Sequence, residues 1–214
     1  MLVILGNQLF APRHLPPVSA GPVFMAEDLG LCTYEKHHQQ KIVLFLAAMR
    51  AYADELRAAG YDVHYDFLDR EDTRPYEDKL IDAMRSVPAE EFVHFEIEDK
   101  PMEQRLIAFA GKNDFVRHEL PSPMFTCSRE QFQTFADGKS RLLMADFYKQ
   151  QRKRLGVMVE ANGEPTGGRW SFDADNRKKL PRKVCPPEVP WVEPTGHVDD
   201  VIAVVEDAFA DHPG

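Results

Sequence analysis

Cysteine is scarce and poorly placed for covalent or metal chemistry. Cys32, Cys127 and Cys185 are odd in number, far apart and without a C-x-x-C pair. That pattern supports neither a disulfide framework nor a zinc or iron–sulfur site in this stretch, and reduced thiols are the expected state. Basic residues are in deficit: 26 Lys and Arg stand against 35 Asp and Glu, a net charge of -9. This argues against a free-standing nucleic-acid binder, though a domain with a peripheral nucleic-acid role fits. No run of about 18 apolar residues occurs, so no transmembrane helix is expected. The N-terminus enters a strand without a basic segment, apolar run and cleavage site, which makes a cytoplasmic location the expectation. Signature loops are missing as well. Neither G-x-G-x-x-G, nor G-x-x-x-x-G-K-[ST], nor G-x-S-x-G, nor H-E-x-x-H is found, and no nucleophile–base pair or internal repeat is visible.

What is present is a strongly patterned stretch from Val23 to Arg50 and beyond. Val23 to Ala26 reads as a buried strand and Glu27 to Thr33 as an irregular acidic loop. A long helix follows, with Ile42, Phe45, Leu46, Met49, Tyr52, Ala53 and Leu56 on its inner stripe. Gly60 is placed to end it and Asp62 to Phe67 forms the next strand. Strand, helix, strand at this spacing is a βαβ crossover, whose first loop is a ligand-binding position.

Leu2 to Leu5 is a continuous apolar run, as expected of a central parallel strand, and Gly6-Asn7-Gln8 turns the chain at its end. Four prolines between Phe10 and Pro22 make that crossover irregular. Pro75 to Val87 reads as a helix, Glu91 to Glu96 as a strand, Pro101 onward as a helix stopped by Gly111, and Asp114 to Leu120 as a fifth strand. This alternation predicts an α/β fold: a doubly wound, five-stranded parallel sheet of Rossmann-like type, followed by helices and a proline-rich connector. The expected divisions are 1–125 for the α/β domain, 126–159 for a helical extension and 160–214 for a connector ending in a short helix, Val198 to Ala210. The basic cluster Lys149, Arg152, Lys153 and Arg154 fits a cationic helix C-terminus better than a nucleic-acid contact.

The candidate chemistry lies at the C-terminal strand edges. Asn7 and Gln8 follow the first strand, Glu27 and Asp28 the second, and Asp99 the fourth, and in a doubly wound sheet these edges meet at one crevice. Amides and carboxylates there suit a neutral heterocycle with hydroxyls and repel a bare phosphate; a row of solvated turn residues is the plainer alternative. His37 and His38, adjacent on a helix, point about 100° apart and cannot readily share a metal, one being expected to face the sheet and the other solvent.

Four longer motifs stand out: "LGNQL" at Leu5 to Leu9, "MAED" at Met25 to Asp28, "HHQQKIVLFLAAMRAYADELRAAGYDVHY" at His37 to Tyr65 and "MADFYKQQRKRLGVMVEANGEPTGGRWSFDADNR" at Met144 to Arg177. Together they resemble the N-terminal half of the photolyase-related proteins, the bacterial iron–sulfur branch of the photolyase/cryptochrome superfamily. The resemblance implies an antenna domain that holds a chromophore, typically 6,7-dimethyl-8-ribityllumazine, ahead of a C-terminal helical domain with FAD, an iron–sulfur cluster and the site for damaged DNA. Full-length members repair pyrimidine (6-4) photoproducts with light or act as photoreceptors. By position, the antenna pocket would involve Asn7, Gln8, Ala26, Glu27, Asp28, Tyr34 and Asp99, with no catalytic or metal-ligating residue in this stretch. Asn7 stands where the family motif carries Asp, and Leu31 stands at a loop position often acidic in lumazine binders. A different chromophore, or an empty pocket, is the alternative to the lumazine. The alternative function is a stand-alone nucleotide-binding or regulatory α/β module. The Gly163 to Arg177 segment is expected to be a structural clasp in which Trp170 and Phe172 bury apolar area.

Overall fold

The computed structural model describes residues 1–214, the side chain of Asp175 excepted. Its sheet comprises β1 (Leu2–Val3), β2 (Val23–Ala26), β3 (Val63–Asp66), β4 (Glu91–Phe95) and β5 (Val116–Leu120). The order is β3-β2-β1-β4-β5 and every pairing is parallel. The short apolar first strand is thus central, where both faces and both edges are covered. The helices are α1 (Leu29–Thr33), α2 (Gln39–Ala58), α3 (Tyr76–Ser86), α4 (Lys100–Asn113), α5 (Arg129–Ala136), α6 (Met144–Leu155), α7 (Asp173–Asn176) and α8 (Val198–Ala208). No described helix is long and apolar enough to cross a membrane.

Alternation along the central strands feeds two cores. Leu2, Ile4, Val23 and Met25 pack with Ile42, Leu46 and Leu56 of α2, and with Val201, Val205 and Phe209 in and just after α8. Val3, Leu5, Phe24 and Ala26 face the opposite way, against Leu80 and Met84 of α3 and Leu106 and Phe109 of α4. Successive side chains of a strand point to opposite faces, so a run of uniformly apolar residues can only be stable between two helical layers. The sheet is open and doubly wound. Its strand order reverses between β1 and β4, which makes the gap between their C-terminal ends the switch point where ligands bind in such sheets.

Packing divides the chain into residues 1–124 with 192–214, and residues 125–191. This division differs from the expected grouping of 160–214 as one connector. Helix α8 packs on α2, and Gln39 Nε2 donates to the carbonyls of Phe209 and His212 at 3.2 and 3.1 Å. The stripe Val201, Val205, Phe209 recurs at helical spacing and needs an apolar surface, which α2 supplies.

In the 125–191 unit, Phe147 of α6 meets Phe132 and Phe135 of α5 at centroid distances of 5.4 and 5.1 Å. Arg152 is buried. It donates to the carbonyls of Val157 and Trp170 at 3.1 and 3.2 Å and to that of Met158, while its guanidinium lies 5.1 Å from the Trp170 ring. One member of the basic cluster therefore ties the Gly163 to Arg177 segment to α6 through main-chain oxygens. Trp170 is only half-buried and Phe172 is exposed, so the aromatic burial expected of the clasp is partial; the arginine supplies the tie instead.

Three local expectations change. Helix α4 runs through Gly111 to Asn113 and reverses at Asp114, whose φ is 57°. The acidic loop after β2 contains the short helix α1, capped by Asp28. His37 and His38 precede α2 rather than lying on it; His38 is exposed and its Nδ1 accepts from Gln40 N at 3.2 Å as the N-cap, while His37 is half-buried.

Candidate functional site

Beyond the C-terminal ends of β1, β2 and β4 lies a cavity of about 540 Å³, within the range of small-molecule sites. Its apolar lining includes Leu5, Ile42, Leu46, Ile97 and Met102, all of them members of the two cores. Phe45 belongs to the α2 stripe yet is 39% exposed, because it stands at the cavity rather than over the sheet. Tyr34, 69% exposed, and His37 meet edge to face at 5.0 Å and add further flat surface to the lining. Gly6 lies close to α2 without an unusual φ: a Cβ on it would lie 2.7 Å from Met49 Sδ, so the methionine side chain would have to shift.

The expected site residues separate into two groups. Asn7, Ala26, Glu27, Asp28, Tyr34 and Asp99 all line the cavity, and Gln8 does not. Gln8 is fully buried, and its Nε2 donates to Glu96 O at 2.9 Å and Glu98 Oε2 at 3.2 Å. It stitches the β1 loop to the β4 loop across the switch point. Asp99 is the N-cap of α4, accepting from Met102 N at 2.9 Å, which commits one of its oxygens to the fold.

Glu27 is the largest correction. Its Oε1 accepts from Arg50 Nε and from Tyr65 OH, both at 2.7 Å. Its Oε2 accepts from Arg50 Nη2 at 2.9 Å and from Leu68 N at 2.8 Å. Its carbonyl receives Lys79 Nζ at 2.9 Å. A carboxylate has about four acceptor positions, and all are filled, so Glu27 has none left for a ligand. Burial and the Glu27 charge push the Tyr65 phenol up, so it remains a donor to that carboxylate. The sequence shows an acidic residue at a strand end; only the packing of α2, β3 and α3 around it reveals that its partners are internal.

Two polar groups of the lining are left open. Asp28 is 3% exposed; its Oδ1 accepts from Leu31 N at 2.8 Å, while Oδ2 is buried without a partner. Tyr76 is 1% exposed and its hydroxyl is also buried without a partner. Tyr76 was not legible as a site residue because it reads as the first inward position of α3. Burial, with the Asp28 charge second, holds its phenol well above the usual range. Cys32, also in the lining, is pushed up to about 11 by burial and by Asp28 and Glu27, and so stays a thiol.

Arg105 at the cavity is paired in a fork with Glu77, both bonds at 2.7 Å. The guanidinium holds the Glu77 carboxyl below its ordinary value. A depressed carboxylate stabilises the fold above its unfolded pKa, about 4.3, and that contribution vanishes as pH falls through the lower folded value. The melting-temperature gap between wild type and Glu77→Gln is therefore expected to be full at neutral pH and to close as pH falls below about 4. Melts followed by circular dichroism across pH would show it; a gap unchanged at low pH would assign the effect to something other than this pair.

Comparison with known proteins adds a direct finding. The family model described as deoxyribodipyrimidine photo-lyase-related protein matches residues 2–214. Over 219 positions the chain is 29% identical to a (6-4) photolyase of Agrobacterium fabrum, with 100% of the chain and 43% of that protein covered. It thus spans less than half the length of that relative. Over 198 positions it is 25% identical to an uncharacterized protein of Acanthamoeba polyphaga mimivirus, covering 85% of the chain and 95% of that protein.

Proposed function

The chain belongs to the deoxyribodipyrimidine photo-lyase-related proteins, and we propose that it is the antenna domain of a light-driven DNA-repair or photoreceptor protein of that family. Its cavity would hold 6,7-dimethyl-8-ribityllumazine or another flat heterocyclic chromophore. The observation that carries this reading is a 540 Å³ cavity at the switch point in which two buried polar atoms lack partners. The residues present fit such a group. Tyr34, His37 and Phe45 offer faces for stacking, Leu46 and Ile97 exclude water below the ring, and Asp28 and Tyr76 can satisfy its polar edge. Asn7 and Asp99, both exposed, are placed for the hydroxyls of a ribityl chain. When bound, the chromophore would absorb light and pass the excitation to a flavin. The flavin, an iron–sulfur cluster and the contact with damaged DNA would belong to a C-terminal domain of the same protein.

The test is reconstitution of the purified chain with the lumazine, followed by absorbance and fluorescence titration. Saturable binding with altered ligand fluorescence is expected, and weaker binding by Phe45→Trp, which fills the cavity. Absence of binding would remove the lumazine from this reading. A second reading, an α/β module that works without a flavin domain, draws on the mimivirus relative, which is matched along 95% of its length. The reading frame after the codon for Gly214 separates the two: a helical continuation with clustered cysteines supports the first, a stop codon the second.

A further inference from the structure

We propose that Asp28 and Tyr76 act together as an edge-reading pair that selects ligands carrying a lactam, a ring N–H beside a carbonyl. The inference rests on the cavity being a heterocycle site and adds which edge of the ring enters it. The two side chains arrive from different elements, Asp28 from the cap of α1 and Tyr76 from the first turn of α3, and both line the same cavity. Each is more than nine-tenths buried, and Asp28 Oδ2 and the Tyr76 hydroxyl have no hydrogen-bond partner, including each other. Buried polar atoms are almost always paired, so two open ones in one cavity wall mark a place where a ligand supplies the partners. The third open atom, Gln8 Oε1, belongs to a residue outside the lining and is not part of the pair.

The surrounding cations are occupied. Lys79 is bonded to the Glu27 carbonyl, Arg105 to Glu77, and Arg50 to Glu27. Lys41, also in the lining, is exposed and bonded to His37 at 3.3 Å. Among the described residues, no buried cation near the pair is therefore spare to receive a phosphate or carboxylate, and the Asp28 charge repels one. Asp28 Oδ1 is anchored by the Leu31 N–H, which sets the carboxylate's orientation. A carboxylate only accepts, whereas a phenol kept neutral by burial can donate. An acceptor beside a donor complements a donor beside an acceptor, and on a flat ring that is N–H next to C=O. A polyol could also satisfy both groups, because each hydroxyl donates and accepts; the test separates the two.

Fluorescence titration of the full chain would use four probes: 6,7-dimethyl-8-ribityllumazine, lumiflavin, which lacks the polyol, and the N3-methyl derivative of each. Methylation at N3 is expected to weaken binding to wild type about tenfold or more. Asp28→Asn keeps the oxygen that caps α1 but can place an amide N–H where Oδ2 stood. It should weaken the unmethylated probes by a similar factor and abolish the preference against methylation. Tyr76→Phe should weaken all four probes and raise the melting temperature of the ligand-free chain, because it removes a buried hydroxyl that has no partner. Equal binding of methylated and unmethylated lumazine would leave the antenna reading standing and overturn the pair. So would a lowered melting temperature for Tyr76→Phe, which would show a structural partner for the hydroxyl. Selective binding of lumiflavin without the lumazine would support the pair and remove the lumazine. No binding of any probe would overturn both.

Discussion

Arg50→Met is expected to destabilise the protein by about 3–5 kcal/mol, measured by urea unfolding. Arg50 and Glu27 are 8% and 0% exposed at their side chains and form a two-point ion pair. Removing the cation strands a buried carboxylate that keeps only Tyr65 OH and Leu68 N as donors. Burying an unpaired charge is far costlier than losing a surface pair, which is commonly worth about 1 kcal/mol or less. The double variant Glu27→Gln with Arg50→Met should recover more than half of that loss, since an amide with its oxygen at the Oε2 position still accepts from Leu68 N, its N–H can donate to the Tyr65 hydroxyl oxygen, and no charge is stranded. A loss below about 1 kcal/mol for Arg50→Met would mean that water reaches Glu27. The same result bears on the site, because Glu27 anchors the β2 end from which Asp28 enters the cavity.

Phe209→Ala is expected to cost about 3–5 kcal/mol. The ring is fully buried in the core shared by α2, the sheet and α8, so truncation leaves a cavity that rigid helices on both sides cannot close. Ile202→Ala is the matched control: at 39% exposure it should cost much less. Thermal or urea unfolding of both variants decides whether residues 192–214 are part of the sheet unit. Similar small losses for both would return this segment to the role of a loose connector.

Much of the architecture was legible because it depends on short-range pattern. The apolar run Leu2 to Leu5 can only be central in a parallel sheet, and it is. Six of the seven stripe positions of α2 are buried and Phe45 is not, because the sheet ends there and the cavity begins, while Arg50, outside the stripe, is buried as well and Leu44 is 67% exposed. Gly111 misled because a glycine within a helix is tolerated at modest cost; the chain instead reversed at Asp114. The final helix was read from its stripe, but its partner surface on α2 lies far away in sequence and left no local sign.

The site was legible in position and not in role. A doubly wound order brings Asn7, Asp28 and Asp99 to one crevice whatever their partners, so strand ends alone identify the neighbourhood. Which oxygen is open depends on which donors arrive from distant elements. Glu27 is closed because Arg50, Tyr65 and Leu68 converge on it, while its neighbour Asp28 keeps one oxygen free because only Leu31 N reaches it. The sequence by itself determined the α/β order, the central strand and the edge at which a ligand enters, since these follow from periodicity and the reversal of strand order. The tertiary structure alone decided that Glu27 is a strut, that Gln8 is a stitch and that Tyr76 joins the cavity, because hydrogen-bond saturation belongs to long-range packing.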